Sequence, residues 1–204
     1  MAKKLYDNRS LKEFAIDVLE TAYVNLLQTL WGIKPSVVEK QIDPEINPII
    51  WIVGHCAAHM DGQFLLQAQG KSVMGECGWQ KGSPFLTGSS KEDIAQGCPI
   101  SFEEIIDGLL EIGDETFVYL QELPEDEFRY LPAKITTRGR ESVLTNIQRM
   151  ALHFMGHMGQ IRVIRRVLNN KARGYFVTGI ERVYRKQVKH RFIDWWGANK
   201  SKFV

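Results

Sequence analysis

Apolar residues recur along most of this chain at intervals of three and four, the period of an α-helix that packs on one side. The first such run follows Ser10, and Glu13 stands three residues later, which is the spacing of a capping box. Gly32 and Pro35 then interrupt the pattern. The sequence therefore predicts a first helix over about residues 10–31.

A second run, residues 47–70, is apolar on nearly every side, which is typical of a helix buried within a domain. We expect Asn47 to cap this helix and Pro48 to occupy its first turn, where a missing N–H group costs nothing. Gly70 is expected to end it. The second helix is thus predicted to lie in the core.

Two more long helices follow. Ser101 and Glu104 form a second capping-box pattern, and the helix that they open is predicted to end at Pro124. The longest helix is predicted over residues 142–169. Strand patterns are weak, and residues 131–142 predict at most a short hairpin or an extended arm. Four long helices with apolar faces favour an all-α fold, a four-helix bundle.

The connection between the second and third helices, residues 71–100, is long and contains five glycines and two prolines. A connection of this length within a compact domain is unusual, and it is often functional or crosses between distant helix ends. It carries Cys77, Trp79, Phe85 and Cys98. We expect either a lid over a functional site or a crossover whose aromatic residues close one end of the bundle.

Composition indicates the class of protein. Apolar residues make up 44% and charged residues 25% of the 204-residue chain, ordinary values for a soluble globular domain. The net charge of +2 is too small to indicate an acidic partner or nucleic acid. We interpret residues 1–204 as one domain, with a bundle core over residues 10–170 and an extension over residues 171–204 that packs on it.

The apolar runs, the N-terminal residues and the cysteines bear on the cellular compartment. No apolar run approaches the roughly 20 residues that span a bilayer, and the polar start MAKKLYDNRS lacks the apolar core of a signal peptide. Three cysteines without a C-x-x-C arrangement cannot all pair, which fits a reducing environment. These features predict a cytoplasmic protein that does not use a membrane.

Charge is unevenly distributed. Residues 171–204 hold nine lysines and arginines against two acidic residues, a net charge of +7, so the remainder carries −5 within the chain total of +2. The segment 180–196 predicts a basic amphipathic helix, of the kind that contacts nucleic acid or an anionic surface. We favour a docking helix instead, with Trp195 and Trp196 packed on the bundle or on a second copy in a homodimer. His190 is expected to be solvated.

Four of the five histidines form two pairs at a spacing of four residues, His55 with His59 and His153 with His157. Two imidazoles one helical turn apart can share a metal ion, although a single pair of this kind is more often a pair of ordinary polar residues. Both pairs lie in apolar helices. If their faces pack together, three imidazoles can converge and leave the open position of a catalytic zinc site. Imidazole also suits nickel, iron and copper.

The two stretches that hold these histidines, WIVGH (51–55) and HFMGHMGQI (153–161), together resemble the DinB/YfiT-like superfamily. The resemblance implies a DinB-like four-helix bundle over residues 10–170 and a metal site with the ligands His55, His153 and His157. His59 matches no ligand of that family, so a contact with a ligand, a fourth ligand position and simple packing all remain open. Gln160 is a candidate to hydrogen-bond a ligand or a metal-bound water.

The resemblance also implies an enzyme, because family members include thiol-dependent S-transferases and hydrolases, although many have no established reaction. We expect a divalent transition metal (zinc, nickel or iron) and a small-molecule substrate, with a thiol or water as the nucleophile. Arg149 projects on the same side as His153 and is a weak candidate for binding an anionic substrate. The acid or base is unknown, because Asp61 lies about 120° from His55 around the helix.

A non-catalytic alternative remains open at this point. In it, the bundle is a binding module whose histidines hold a structural metal or none, and the basic C-terminal segment binds nucleic acid or a partner protein. The two hypotheses differ in whether the metal has an open position and in whether binding to nucleic acid depends on salt.

Overall fold

The fold is all-α in the part of the chain that the computed structural model describes, and it agrees with the predicted class. Among those residues no strand forms, and one isolated bridge joins Asp43 to Ile46. The hairpin or arm expected over residues 131–142 falls almost wholly outside the described residues, as does most of the C-terminal extension. The described residues are 9–79, 92, 94, 97–129, 141–171, 190, 194 and 197.

Four long helices form the frame, and short helical turns connect them. A π-helical segment, Asp61–Leu66, joins α3 to α4, and a 3-10 turn, Asp126–Arg129, follows α6. The α-helices with described bounds are α1 (Leu11–Leu30), α2 (Pro35–Val38), α3 (Ile49–Met60), α4 (Gln67–Gln69), α5 (Val73–Glu76), α6 (Phe102–Glu122) and α7 (Val143–Val167).

The starts of α1 and α6 are set by local hydrogen bonds that the sequence predicts. At α1, Glu13 N donates to Ser10 Oγ at 3.2 Å, and Ser10 N donates to Glu13 Oε2 at 2.9 Å. Ser101 and Glu104 make the same reciprocal pair at α6, at 3.2 and 2.9 Å. Each box satisfies donors that a helix N-terminus otherwise leaves without partners. Both predicted capping boxes are therefore confirmed.

The start of α3 differs from the prediction by one residue. Pro48, rather than Asn47, is the N-cap, and no side chain caps the helix. Pro48 has extended backbone angles, and its carbonyl accepts the first helical bond from Ile52 N at 3.1 Å. Because Pro48 itself holds extended angles, the helix begins only at Ile49, and Asn47 lies one residue outside the cap position. The predicted end at Gly70 is confirmed, with the left-handed φ of +72° that glycine tolerates.

The four long helices pack in a ring. Helix α1 contacts α6 and α7, and α3 contacts the same two helices from the other side. Two glycines of α6 allow this close packing: a Cβ at Gly108 would lie 2.5 Å from the Trp79 ring, and a Cβ at Gly113 would lie 2.6 Å from Tyr23 Cζ. Trp79 is thus a buried part of the core, as expected for a crossover whose aromatic residues close the bundle. Phe85 lies outside the described residues.

One buried cation fixes the end of α7. Arg165 is fully buried, and its Nη1 donates to the carbonyl oxygens of Thr29 and Trp31 at the end of α1. Its Nε donates to Asn170 O at 2.9 Å. Buried charges are stable only when they are hydrogen-bonded in this way. The network ties the C-terminal end of α7 to the end of α1.

The described helices also bear on the expectation of a protein without a membrane anchor. No helix in the described part of the chain is both long enough and apolar enough to cross a bilayer.

In the C-terminal extension, His190 is exposed, as expected. The division into a bundle core over residues 10–170 and a packed extension over residues 171–204 stays a prediction.

Candidate metal centre

Helices α3 and α7 bring four imidazole rings into one cluster. The ring centroid of His55 lies 5.1 Å from that of His153 and 5.2 Å from that of His157. His153 and His157, one turn apart on α7, are separated by 4.4 Å. His59 lies 4.4 Å from His55 and 4.6 Å from His153. The two pairs that the sequence shows therefore meet across the interface between the two helices.

Three of these rings have the geometry of a metal site. His55, His153 and His157 each offer one ring nitrogen, and the three nitrogens lie within 4.8 Å of one another. His59 does not join this group. Each of the three residues is half-buried, so none of them is fully enclosed. Three neutral nitrogens can hold a divalent transition metal.

The state of His153 fits a metal ligand. Its Nε2 is buried and has no hydrogen-bond partner in the described part of the chain. Burial lowers the pKa of His153 to about 3, and the neighbouring histidines and Arg149 add to this effect. The ring is therefore neutral at physiological pH. A buried polar atom without a partner is rare, and an ion is one of the groups that satisfies it.

His157 is oriented by a neighbour on its own helix. Its Nδ1 donates to Gln160 Oε1 at 2.7 Å, which leaves Nε2 as the free lone pair. Burial lowers the pKa of His157, and the bond to Gln160 opposes this shift. A hydrogen bond on the distal ring nitrogen fixes the tautomer and the direction of a metal-binding imidazole. Gln160 thus hydrogen-bonds one of the candidate ligands, and its role at a metal stays a prediction.

His55 is held by an aromatic contact. The Trp51 indole, one turn earlier on α3, stacks on the imidazole with ring centroids 4.4 Å apart and planes inclined by 15°. Trp51 is itself only 6% exposed, so the core fixes the indole. Trp51 belongs to the WIVGH motif, but the motif alone predicts no contact for it. Its spacing of four residues from His55 was the signal for this stacking.

His59 and Arg149 lie beside the three-histidine group. Burial lowers the pKa of His59, and the positive charge of Arg149 and the neighbouring His157 lower it further. Arg149 Nη1 donates to Glu141 Oε1 at 3.0 Å, and about half of the Arg149 side chain is exposed. His59 thus lies against two of the candidate ligands, and the roles of His59 and Arg149 stay predictions.

Asp61 is held by the segment that follows its own helix. Its carboxylate accepts hydrogen bonds from Ser72 Oγ at 2.7 Å and from Val73 N at 2.8 Å. Burial raises the pKa of Asp61, whereas these hydrogen bonds act in the opposite direction. Asp61 therefore anchors the start of α5 to the end of α3. The sequence pattern does not predict this role of Asp61.

The cysteines do not contribute to the site. Cys56 is fully buried beside His55 in the sequence, and burial raises its pKa far above the usual range of a thiol, so it stays protonated. Cys77 is exposed and Cys98 is half-buried, and neither joins the group of metal-binding side chains in the described part of the chain. A lid formed by residues 71–100 stays a prediction, because most of residues 80–96 lie outside the described residues.

Comparison with known proteins agrees with this architecture. No curated protein matches the chain. The fold is similar to a crystal structure of a conserved protein from Enterococcus faecalis, with a TM-score of 0.63 and 16% sequence identity over 80% of this chain and 99% of that one. A family model described as the DinB superfamily matches residues 18–161, which include all four clustered histidines. The chain therefore belongs to the DinB superfamily.

Proposed function

We propose that this protein is a metal-dependent enzyme that acts on a small molecule, and that His55, His153 and His157 hold its divalent transition metal ion. The observation that carries the proposal is the convergence of three ring nitrogens within 4.8 Å, from two helices distant in the sequence. The buried Nε2 of His153, which has no partner among the described residues, supports it. Zinc, nickel and iron each suit three imidazole ligands.

The number of ligands favours catalysis over a structural role. Structural zinc sites are usually closed by four protein ligands, whereas catalytic sites keep a position for water or substrate. His59 is close by but does not join the group of three, and the three side chains are half-buried rather than enclosed. The site thus has room for a further ligand.

The residues of the chain supply orientation. Trp51 limits the rotation of the His55 ring, and Gln160 directs Nε2 of His157. A divalent metal in such a site lowers the pKa of a bound thiol or water and so provides a nucleophile near neutral pH. The proposed reaction is therefore the transfer of a thiol to an electrophilic small molecule or the hydrolysis of one. The described part of the site offers no carboxylate as a general base, because Asp61 is engaged by Ser72 and Val73.

The experiment that tests this proposal is an activity screen of the metal-loaded protein. Low-molecular-weight thiols are combined with electrophiles in one arm, and esters and amides are offered with water alone in the other. We expect turnover in one arm that is lost after chelation and in the His153→Ala variant, and kept in His190→Ala, which alters an exposed histidine. Turnover that survives both chelation and His153→Ala would contradict the proposal.

A further inference from the structure

A row of three side chains runs along one face of α7. Arg149, His153 and His157 are spaced by four residues, so each lies about one helical turn above the last. Arg149 stands at the N-terminal end of this row, with 53% of its side chain exposed. Its positive charge is one of the causes that lower the pKa of His59 and of His153, in agreement with this position. The row itself places Arg149 one helical turn from His153, the nearest candidate ligand.

The charges around this site are not balanced. The imidazoles of His55, His153 and His157 are neutral ligands, and no carboxylate joins them in the part of the chain that the structure describes. The carboxylate of Asp61 is hydrogen-bonded to Ser72 and Val73 instead. A divalent ion in a site of neutral ligands keeps its full positive charge. Such a centre attracts anions. Arg149 adds a positive charge on one side, which its exposed ion pair with Glu141 offsets in part.

Most of the hydrogen-bond donors of Arg149 are not used within the described part of the chain. A guanidinium presents five N–H groups in a planar fork. In the described part of the chain, Arg149 makes one hydrogen bond, from Nη1 to Glu141 Oε1 at 3.0 Å. This bond holds one edge of the guanidinium and leaves the other donors available. A fork of this shape matches a carboxylate or a phosphate through two parallel hydrogen bonds.

We infer that Arg149 binds an oxyanion of the substrate, a carboxylate or a phosphate group, while the reacting end of the same molecule lies at the three-histidine site. The inference rests on the proposed function and adds the class of substrate to it. Glu141 positions the guanidinium when no substrate is present. The competing interpretation is an ordinary exposed ion pair between Arg149 and Glu141, which contributes little to stability and nothing to binding.

The test uses the full chain loaded with Co²⁺, whose visible absorption reports changes at the metal. The protein is titrated with inorganic phosphate and, separately, with acetate, which distinguishes the two kinds of oxyanion. Arg149→Gln removes the fork, and Arg149→Lys keeps the charge but not the fork. Arg166→Gln is the matched control, because Arg166 is exposed on the same helix and outside the row. Cobalt content is measured for every variant.

We expect Arg149→Gln to bind at least one of the two anions about tenfold more weakly than the wild-type chain, with unchanged cobalt content. Arg149→Lys should bind the anion with an affinity between those of the wild type and Arg149→Gln. Arg166→Gln should bind it as tightly as the wild type. Equal anion affinity in the wild type and Arg149→Gln, or no response to either anion, would overturn the inference while leaving the metal site intact. Absence of bound cobalt in the wild-type chain would overturn the proposed function itself, and the anion site with it.

Discussion

The imidazole of His55 lies almost parallel to the indole of Trp51, with ring centroids 4.4 Å apart and an interplanar angle of 15°. The two residues are one turn apart on α3, so the contact follows from helix geometry. Since Trp51 is buried in the core, its indole acts as a fixed surface against which the imidazole rests. Trp51 is therefore a positioning residue for the proposed metal site.

Replacing this surface should weaken metal binding. Trp51→Leu removes the aromatic face but keeps an apolar side chain, and we expect it to lower the affinity for Zn²⁺ about tenfold, since residues that orient a ligand affect metal affinity on this scale. Trp51→Phe keeps a ring and should retain most of the affinity. Competition with a chromogenic chelator measures both values. Equal affinities in the wild type and Trp51→Leu would show that the stacking has no role in binding.

Gln160 should act on the other helix in a comparable way. Gln160→Ala removes the acceptor for the Nδ1–H of His157, so the ring loses the bond that selects its tautomer. We expect the affinity for Zn²⁺ to fall by about 10–100-fold, with little change in stability because Gln160 is exposed. Gln148→Ala, at another exposed glutamine of α7, serves as the control. If Gln160→Ala binds Zn²⁺ as tightly as Gln148→Ala, Gln160 has no role in orienting His157.

The packing of Trp79 on α6 leads to a prediction about stability. A Cβ at Gly108 would lie 2.5 Å from the Trp79 ring, and the buried ring has little room to move. We expect Gly108→Ala to lower the free energy of unfolding by about 1–3 kcal/mol, despite the better helix propensity of alanine. Urea denaturation measures the change.

Gly156 offers the matched control for this substitution. It lies within α7, and a Cβ there meets no atom within 4 Å. Gly156→Ala should therefore raise the free energy of unfolding by up to about 1 kcal/mol through helix propensity alone. A stabilised Gly108→Ala variant would show that Trp79 does not pack on α6 as described.

The capping box of α6 predicts a dependence on pH. Hydrogen bonds from the hydroxyl and the backbone N–H of Ser101 lower the pKa of Glu104 in the folded chain. A folded carboxyl with a lowered pKa stabilises the fold above its unfolded pKa of about 4.3, and this contribution is lost as the pH falls through the folded value. We expect Glu104→Gln to lose less stability than the wild type between about pH 6 and about pH 3.5.

The size of this effect should be small, a few tenths of a kcal/mol, because Glu104 is largely exposed to solvent. Thermal unfolding across the pH range measures it. Glu122→Gln, which removes an exposed charge near the other end of α6, should follow the wild-type profile. A Glu104→Gln profile that coincides with the wild type would argue against the hydrogen-bonded carboxylate.

The sequence predicted those features that depend on neighbouring residues. The capping boxes at Ser10 and Ser101 follow from side chains three residues apart, and Gly70 ends a helix because of its own backbone freedom. The two histidine pairs could be found because each lies on one side of an apolar helix. Local pattern was enough to place the four long helices and to single out four histidines, whereas the choice of His55, His153 and His157 among them came from the family resemblance.

Features that depend on tertiary packing could not be read in this way. The meeting of His55 with His153 depends on how α3 lies against α7, which no local pattern specifies. Arg165 looks like a surface cation in the run IRVIRRV, and only the carbonyl groups at the end of α1 explain its burial. Asp61 likewise binds a segment, at Ser72 and Val73, that the sequence left as irregular connection.

The most direct test is the metal content of the purified protein, measured by elemental analysis after loading and gel filtration. We predict one divalent transition metal ion per wild-type chain, an equal content in His190→Ala, and little or none in His55→Ala and in His157→Ala. A wild-type chain that retains no metal, or a His55→Ala variant that retains as much as the wild type, would contradict the three-histidine site.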